Sequence, residues 1–411
     1  PPAGAPLGLM SMAPDGRVRE AAVRALAALE EREIPFLVLR ANDWVPQVRT
    51  RALTALRERL VIGRAADFVA ALPLVIGLRG RARHDHAAFV GEVTSLLADD
   101  RFADGLRAGC SSPDRETRRA CYRIAPARPA MRAAALASND TMLRGLALRG
   151  TNAADRELVR PILRDRVGSF RAQALRLLVD CGAATDAEVL RALLDRNDQV
   201  RGVAQVAATR GGVDLPGFYR AHIDKNDPAA VLGLVETSPV AATRVRAALS
   251  SPFAGMRRAA IRGLARIGGD SADLFAAALD DAAPGVVTEA RRQLLRAPMN
   301  APAHWLAALV ARNDASPAAR LAALDVLAAR GKWPALIDLL VAAGLGDRDL
   351  HARASSRLAV WIATYNRSFS VPTPVEIAAA RRALDGAGQS AERVAELRSI
   401  LDSHRGRVRD P

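Results

Sequence analysis

Residues 13–29 read APDGRVREAAVRALAAL, and residues 42–60 read NDWVPQVRTRALTALRERL. Each stretch has a turn containing Asp, Asn or Pro, then an arginine, then a run of small and apolar residues. The same phrase returns about a dozen times along the chain, and such self-similarity is typical of helical repeat proteins. Most steps between clear copies are 26 to 33 residues, and a degenerate copy follows Arg83. The marker arginines of the clear copies are Arg19, Arg49, Arg118, Arg144, Arg171, Arg201, Arg257, Arg320 and Arg353.

Two helical patterns occupy each period. A shorter apolar run precedes the turn and a longer one follows it, with apolar positions at i, i+3, i+4 and i+7. In residues 17–29, for example, Val18, Ala22, Leu26 and Leu29 lie on one helix face. Neither helix can bury its apolar stripe alone, so successive pairs must stack on one another. The pattern predicts an all-α fold, an α-solenoid with a right-handed superhelix of about twelve helix pairs.

The phrase resembles the HEAT repeat in its short bacterial form, D-x-x-V-R-x-x-A, over roughly residues 11–365. The resemblance is one of architecture and implies an armadillo-like helical solenoid, not one particular activity. It also implies that the turn acid caps the second helix and that the marker arginine pairs with an acid of the neighbouring repeat. An Asp before a helix accepts hydrogen bonds from unpaired N–H groups and suits the positive end of the helix dipole. The turn acids here are Asp15, Asp43, Asp114, Asp140, Asp198, Asp314 and Asp349.

The C-terminal segment lacks the phrase. We predict that residues 1–365 form the HEAT-like solenoid and that residues 366–411 form capping helices and a short basic tail. Thr373, Pro374 and Glu376 make a capping-box start with Pro at the first helical position, and Ser390 starts the last helix. A polar terminal pair would close the exposed end of the core, and the alternative is a tail that docks a partner. The basic residues of the tail are Arg405, Arg407 and Arg409.

Positive charge is spread along the whole chain. The net charge is +15, and no long segment holds a basic block. Only Lys225 and Lys332 are lysines among the 59 basic residues. Arginine binds phosphate and carboxylate better than lysine through its planar fork, although codon bias would produce the same composition.

The three cysteines, Cys110, Cys121 and Cys181, lack metal-ligand spacing and fit a reduced intracellular protein. No apolar stretch is long enough for a membrane span. We therefore expect a cytoplasmic protein that does not contact a membrane.

Common catalytic and nucleotide-binding motifs are absent from the sequence. His84, Asp85 and His86 form the only tight cluster of metal-ligand types. On a helix, residues two apart point in different directions, so the two histidines would not share a metal there. Capping of a helix by Asp85 is the better interpretation. We predict no catalytic residue, no metal site and no cofactor.

Two tryptophans, Trp44 and Trp333, lie at predicted loop positions and are candidate exposed anchors for a partner. Packing against neighbouring repeats is the alternative for both. The HEAT-like alkylpurine DNA glycosylases are similar in fold, and that similarity implies a Trp and Asp cluster beside a lesion in a basic groove. Asp43 and Trp44 are the nearest match, and they coincide with the ordinary repeat phrase.

The sequence favours a non-enzymatic scaffold that binds a macromolecular partner, in the first place a protein, on a concave surface formed by the second helices. The alternative is nucleic-acid binding, if coiling gathers the diffuse charge on one face, with the glycosylase as its catalytic form. Exposed arginines away from the apolar stripe and the marker position are the candidate contacts: Arg24, Arg51, Arg176, Arg262 and Arg357.

Overall fold

The computed structural model describes residues 4–29, 33–81, 84–238, 240–367 and 370–404. Within these ranges it contains 26 α-helices, short 3-10 turns and no strand. The predicted all-α helical-repeat fold is therefore confirmed. Marker position Arg83 and the tail residues Arg405, Arg407 and Arg409 lie outside the described residues. The chain divides into unit 1, Pro1–Thr185, and unit 2, Asp186–Pro411.

Unit 1 consists of helices joined by short turns. Its helices are α1 Gly4–Met10, α2 Gly16–Ala27, α3 Ile34–Arg40, α4 Pro46–Glu58, α5 Ala65–Gly77, α6 Ala87–Leu97, α7 Ala103–Gly109, α8 Arg115–Ile124, α9 Pro129–Ala137, α10 Thr141–Arg149, α11 Arg156–Val159 and α12 Gly168–Asp180.

Unit 2 continues the pattern with longer second helices. Its helices are α13 Asp186–Ala192, α14 Asp198–Arg210, α15 Leu215–Asp224, α16 Pro228–Thr237, α17 Ala242–Ala247, α18 Ala254–Ile267, α19 Ala272–Ala277, α20 Pro284–Leu294, α21 Ala303–Ala311, α22 Pro317–Leu327, α23 Lys332–Ala343, α24 Arg348–Thr364, α25 Pro374–Gly386 and α26 Ala391–Ser403.

Helix packing within each unit is local in sequence. A helix packs on its immediate neighbour, as α3 does on α4 and α21 on α22, and on the helix two further along. In unit 2 the second helices α16, α18, α20, α22 and α24 form one such series. This is the packing that stacked helix pairs require, because each pair buries its apolar stripe against the next.

The core of each unit comes from the apolar stripes. Leu72 and Phe68 of α5 and Leu336 and Leu340 of α23 are completely buried. Burying one such side chain stabilises the fold by roughly 1.5–3 kcal/mol relative to leaving it in water. No single helix among the described residues is long and apolar enough to cross a membrane.

Helix N-termini are capped by turn acids, though not always by the predicted ones. Asp15, Asp114 and Asp140 accept hydrogen bonds from the first turns of α2, α8 and α10, as predicted. Four predictions were wrong. Helix α4 has Val45 at its N-cap and no side-chain cap, so Asp43 does not cap it. The caps of α14, α22 and α24 are Asn197, Ser316 and Asp347, and not Asp198, Asp314 and Asp349. In these last three cases two or more polar residues stand in the turn, and the sequence does not tell which one faces the helix.

The C-terminal pair begins as predicted. The Thr373 hydroxyl accepts a hydrogen bond from the Glu376 N–H at 3.2 Å, and the Glu376 carboxylate accepts one from the Thr373 N–H at 2.7 Å. Ser390 caps α26. Helix α25 packs on α23, and the capping role of the C-terminal pair stays a prediction. The boundary between a solenoid ending at residue 365 and a cap beginning at residue 366 stays a prediction.

Candidate functional site

The marker arginines tie each turn to the next one. The Arg19 guanidinium donates to the Ala13 and Pro14 carbonyls, six and five residues before it, and forms an ion pair with Asp43 of the following copy at 2.9 Å. Arg257 repeats this with the Ser251 carbonyl and with Asp281 at 2.6 Å. We call this series of contacts the turn ladder. It also includes the ion pairs Arg118–Asp140, Arg144–Asp165 and Arg320–Asp347, whereas Arg201 pairs with Glu236 near the end of helix α16. The pairing implied by the HEAT resemblance is confirmed for these copies.

Arg132 on α9 makes the same contacts, although the sequence analysis did not single it out. Its guanidinium donates to the Pro126 carbonyl, and it pairs with Asp155 at 2.9 Å. The residues before Arg132 read APARPAM and contain no acid, so the phrase does not reveal this copy. The buried acid that it needs lies 23 residues further along.

Asp43 is part of the turn ladder and does not face an open site. Its carboxylate is 1% exposed, and it accepts hydrogen bonds from Arg19, Arg40 and the Val45 N–H. Burial alone would raise the pKa of Asp43, but these bonds, that from Arg19 above all, hold the pKa below its ordinary value. The Asp43–Trp44 pair therefore gives no support to the glycosylase hypothesis, since no lone pair is left for a substrate.

The two tryptophans have different environments. Trp44 is 65% exposed, and the Arg19 guanidinium lies 5.2 Å from its ring centroid. The prediction that Trp333 is an exposed anchor was wrong, because this side chain is 2% exposed. Its ring packs edge-on against Trp361, and its N–H donates to the Ser370 carbonyl at 3.1 Å. Gly331 led us to expect a loop at Trp333, but α23 begins immediately after the glycine and Trp333 lies on a buried face of that helix.

The structure brings two of the candidate arginines of unit 1 together. Arg24 and Arg51 both reach the Glu20 carboxylate, at 3.5 and 3.4 Å. Arg51 and Glu20 also line an open groove of about 580 Å³ whose other charged residue is Glu58. The groove is therefore mixed in charge and shows no preference for an anion. Arg176, the third candidate of unit 1, lies elsewhere; it is exposed and makes no ion pair within the described part of the chain.

Arg357 lies in a separate cluster in unit 2. Together with Arg353 and Arg291 it surrounds the buried carboxylate of Asp325, at N–O distances of 2.8 to 3.2 Å. Three cations share one anion here, and the side chains of Arg353 and Arg357 remain about two-fifths exposed, at 41% and 44%.

Several arginines gather around the remaining candidate, Arg262. Arg262 and Arg266 are four residues apart on α18, and Arg292 and Arg296 are four residues apart on and just beyond the neighbouring α20. All four line one open recess of about 330 Å³. We call these four residues the arginine square. Arg196 and Arg201 line the same recess.

Two carboxylates hold part of the arginine square in place. Glu289 on α20 lies between Arg262, at 2.7 Å, and Arg292. Burial raises the pKa of Glu289, but hydrogen bonds from Arg292, Gln293 and Arg262 outweigh it, so the net pKa lies below the ordinary value and the group is ionised at neutral pH. The Glu236 carboxylate on α16 accepts a hydrogen bond from Arg266 at 2.5 Å and also forms an ion pair with Arg201.

The recess keeps an excess of positive charge. Six arginines line it, against the carboxylates of Asp198, Glu236 and Glu289. Arg196 and Arg296 are exposed, and neither guanidinium group makes an ion pair or hydrogen bond with any residue that the structure describes. Formally, three positive charges remain unbalanced in a space large enough for one small anionic group.

Of the four residues of the arginine square, only Arg262 was among the candidates chosen from the sequence. The missed residues Arg292 and Arg296 lie 30 residues after Arg262 and Arg266, which is one repeat period. That offset between two consecutive copies is the signal that would have found them. It was obscured because the copy at 283–295 lacks the marker arginine.

The predicted helical placement of His84 and His86 was wrong. Both precede α6, which begins at Ala87, and their rings make an edge-on contact with centroids 5.2 Å apart. The Asp85 carboxylate accepts a hydrogen bond from the Ala87 N–H, so its predicted capping role is confirmed. Within the ranges that the structure covers, no three His, Cys, Asp or Glu side chains are grouped as metal ligands.

No protein-family model matches the chain, and no curated protein matches it either. Among solved structures it is similar to a chain from the complex of Kap95p with RanGDP, at 11% identity and a TM-score of 0.40 over 97% of this chain and 66% of that one. A structure of Kap121p bound to Pho4p gives 12% identity and a TM-score of 0.34, over 97% of this chain and 54% of the other. The chain thus spans between about half and two thirds of these proteins. Likenesses of this size say nothing about what the chain binds.

Proposed function

We propose that this protein is a non-enzymatic helical-repeat scaffold that holds an acidic segment of a protein partner on the arginine square. The observation that carries the proposal is the excess of exposed guanidinium groups in one recess of unit 2, where the guanidinium groups of Arg196 and Arg296 have no partner among the described residues. Guanidinium groups bind carboxylates through two parallel hydrogen bonds, so the recess is preorganised for an anion.

Like charges four residues apart on a helix destabilise it by roughly 0.2–0.5 kcal/mol per pair. The arginine square contains one such pair, Arg262 and Arg266 on α18, and Arg296 lies just beyond the end of α20. An anionic partner relieves that repulsion in addition to forming its own hydrogen bonds. Both the new hydrogen bonds and the relief of repulsion therefore favour binding of an acidic segment in the recess.

The surroundings of the arginine square favour a protein segment over a duplex. On one side the Glu236 carboxylate of α16 interrupts the positive surface. Arg262, Arg266 and Arg292 already pair with Glu289 or Glu236, so few free guanidinium groups remain for a long row of phosphates. A nucleic-acid duplex carries one charge per roughly 1.7 Å and is bound along a longer basic track. A short acidic segment needs only a compact cationic surface.

The proposal is tested by affinity capture from native lysate with three forms of the chain. The square variant Arg292→Gln/Arg296→Gln removes two exposed cations of the recess, and the control Arg123→Gln/Arg149→Gln removes two exposed cations of unit 1. We expect wild type and control to recover the same acidic protein and the square variant to lose it. Equal recovery by all three forms would refute the proposed site.

Nucleic-acid binding is the opposing outcome, and it has its own measurement. If six or more phosphates were contacted, affinity for a random duplex would fall roughly a thousandfold between 50 and 200 mM salt. We expect weak binding at both salt concentrations in a fluorescence-anisotropy titration. Tight binding with that salt dependence would replace the acidic protein with nucleic acid as the partner.

A further inference from the structure

We infer that the arginine square recognises one phosphoryl group, carried on a serine or threonine of the acidic partner segment. This inference rests on the proposed function and narrows it to a phosphorylated partner. Two of the four guanidinium groups come from an i, i+4 pair on α18, one comes from Arg292 on α20 and one from Arg296 just beyond that helix, and all four line a single recess. That convergence distinguishes them from exposed arginines such as Arg176 on α12, which makes no ion pair within the described residues.

The dimensions fit a single compact anion. Residues four apart on a helix have Cβ atoms roughly 5–6 Å apart, and packed helices are roughly 8–10 Å apart. Arginine side chains at the corners of such a rectangle can reach a common centre. Arg262 on α18 and Arg292 on α20 already do so, since both contact the Glu289 carboxylate.

The charge of the recess fits a phosphoryl group better than a carboxylate. A carboxylate has one negative charge and is satisfied by one bidentate arginine. A phosphoryl group on serine carries roughly −1.5 to −2 charges at neutral pH and three acceptor oxygens. With six lining arginines against three carboxylates, the more highly charged group comes closer to neutralising the recess.

The charges on the α16 side limit the recess there. At the ninth helical position, α16 has Glu236, α18 has Arg262 and α20 has Arg292. A second phosphoryl group placed toward α16 would meet the Glu236 carboxylate. On the other side, the buried Asp325 of α22 is already paired with Arg291, Arg353 and Arg357.

Gln293 is a buried part of the recess wall. It lines the recess and is 7% exposed. Its amide N–H donates to Glu289 at 2.6 Å and so helps to hold the carboxylate that pairs with Arg262 and Arg292.

The experiment compares three labelled Glu- and Gly-rich peptides that differ only at a central position, which is phosphoserine, serine or glutamate. Their affinities for the full chain are measured by fluorescence anisotropy at a physiological ionic strength of about 0.15 M. We expect the phosphoserine peptide to bind at least tenfold more tightly than the glutamate peptide. In the square variant Arg292→Gln/Arg296→Gln this ratio should fall to near one, and in the control Arg123→Gln/Arg149→Gln it should persist.

Each outcome separates this inference from the proposed function. Equal binding of the three peptides, lost in the square variant, would overturn the phosphoryl inference and leave the acidic-segment scaffold intact. Failure of all three peptides to bind would overturn both. Inorganic phosphate is added as a competitor, and we expect it to displace the phosphopeptide poorly. Complete displacement at equimolar concentration would show a small-anion site and contradict recognition of a peptide.

Discussion

The carboxylate of Asp43 shows why turn residues of this chain should be sensitive to substitution. Its partner Arg19 has a side chain that is only 4% exposed, so neither charge can return to water while the turn is folded. Removing one member of a buried ion pair leaves the other uncompensated, which typically costs about 3–5 kcal/mol.

We therefore expect Asp43→Asn to destabilise unit 1 by about 3–5 kcal/mol, measured by urea unfolding followed by circular dichroism. The matched control is Asp15→Asn, at the corresponding turn one copy earlier, where the side chain is exposed and only caps α2. Its cost should stay below about 1 kcal/mol, because asparagine is itself a good helix cap. Equal costs for the two variants would contradict a buried ion pair at Asp43.

The same pair predicts a pH dependence. The pKa of Asp43 is lowered in the folded protein, so in acid the unfolded state takes up a proton first. The stability that Asp43 contributes is complete above the ordinary pKa of 3.8 and is lost as the pH falls through the lowered value. The difference between wild type and Asp43→Asn should therefore shrink below about pH 4. A difference that stays constant down to acid unfolding would be inconsistent with this assignment.

For single residues, the sequence predicted contacts correctly where one residue type recurs at one position of the repeat. The marker arginines recur at a fixed place in a phrase, and their pairing with the next turn follows from that regularity. Trp333 was misassigned because burial of one side chain depends on what packs over it, here Trp361 and the chain at Ser370. No local pattern around residue 333 contains that information.

At the scale of the element, two glycines in the interiors of second helices should respond oppositely to the same substitution. A Cβ at Gly233 of α16 would lie 2.2 Å from the Tyr219 ring, whereas a Cβ at Gly202 of α14 would meet nothing within 4 Å. Alanine favours the helix over glycine by roughly 1 kcal/mol. In a packed site that gain is outweighed by an overpacking cost of about 1–3 kcal/mol.

We expect Gly202→Ala to raise the urea midpoint of unit 2 and Gly233→Ala to lower it. Each variant is the control for the other, because the residue change and the helical setting are the same. Stabilisation by both variants would mean that Tyr219 moves aside at little cost and that the packing of α15 on α16 is loose.

The sequence predicted that the elements are helices, but it predicted less well which helix faces pack against each other. The capping box at Thr373 and the helix periodicity are local signals, and both were confirmed. The arginine square depends on which faces of α18 and α20 adjoin each other. The helical period alone does not fix that relation, so the sequence yielded Arg262 without its three companions.

At the scale of the whole molecule, the local packing of each unit determines how far the destabilising effect of a core substitution extends along the chain. Leu72 in unit 1 and Leu336 in unit 2 are both completely buried. Truncating either to alanine should cost about 2–5 kcal/mol. Because helices contact mainly their sequence neighbours, we expect each substitution to weaken one unit only.

Hydrogen exchange measured by mass spectrometry provides the test. Leu72→Ala should increase exchange in the helices of unit 1 and leave those of unit 2 unchanged, and Leu336→Ala should do the reverse. Loss of protection throughout the chain from either substitution would indicate a single cooperative unit instead.

The turn ladder also bears on how such a chain can change in length. Where it is regular, a marker arginine uses carbonyls of its own turn and an acid supplied by the next copy, as Arg19 does with Asp43 and Arg257 with Asp281. A duplicated copy inserted there would bring one arginine and one acid, and every ion pair would be restored with a new neighbour. Growth by tandem duplication would therefore leave no buried charge unpaired, whereas an insertion of any other length would separate an arginine from its acid.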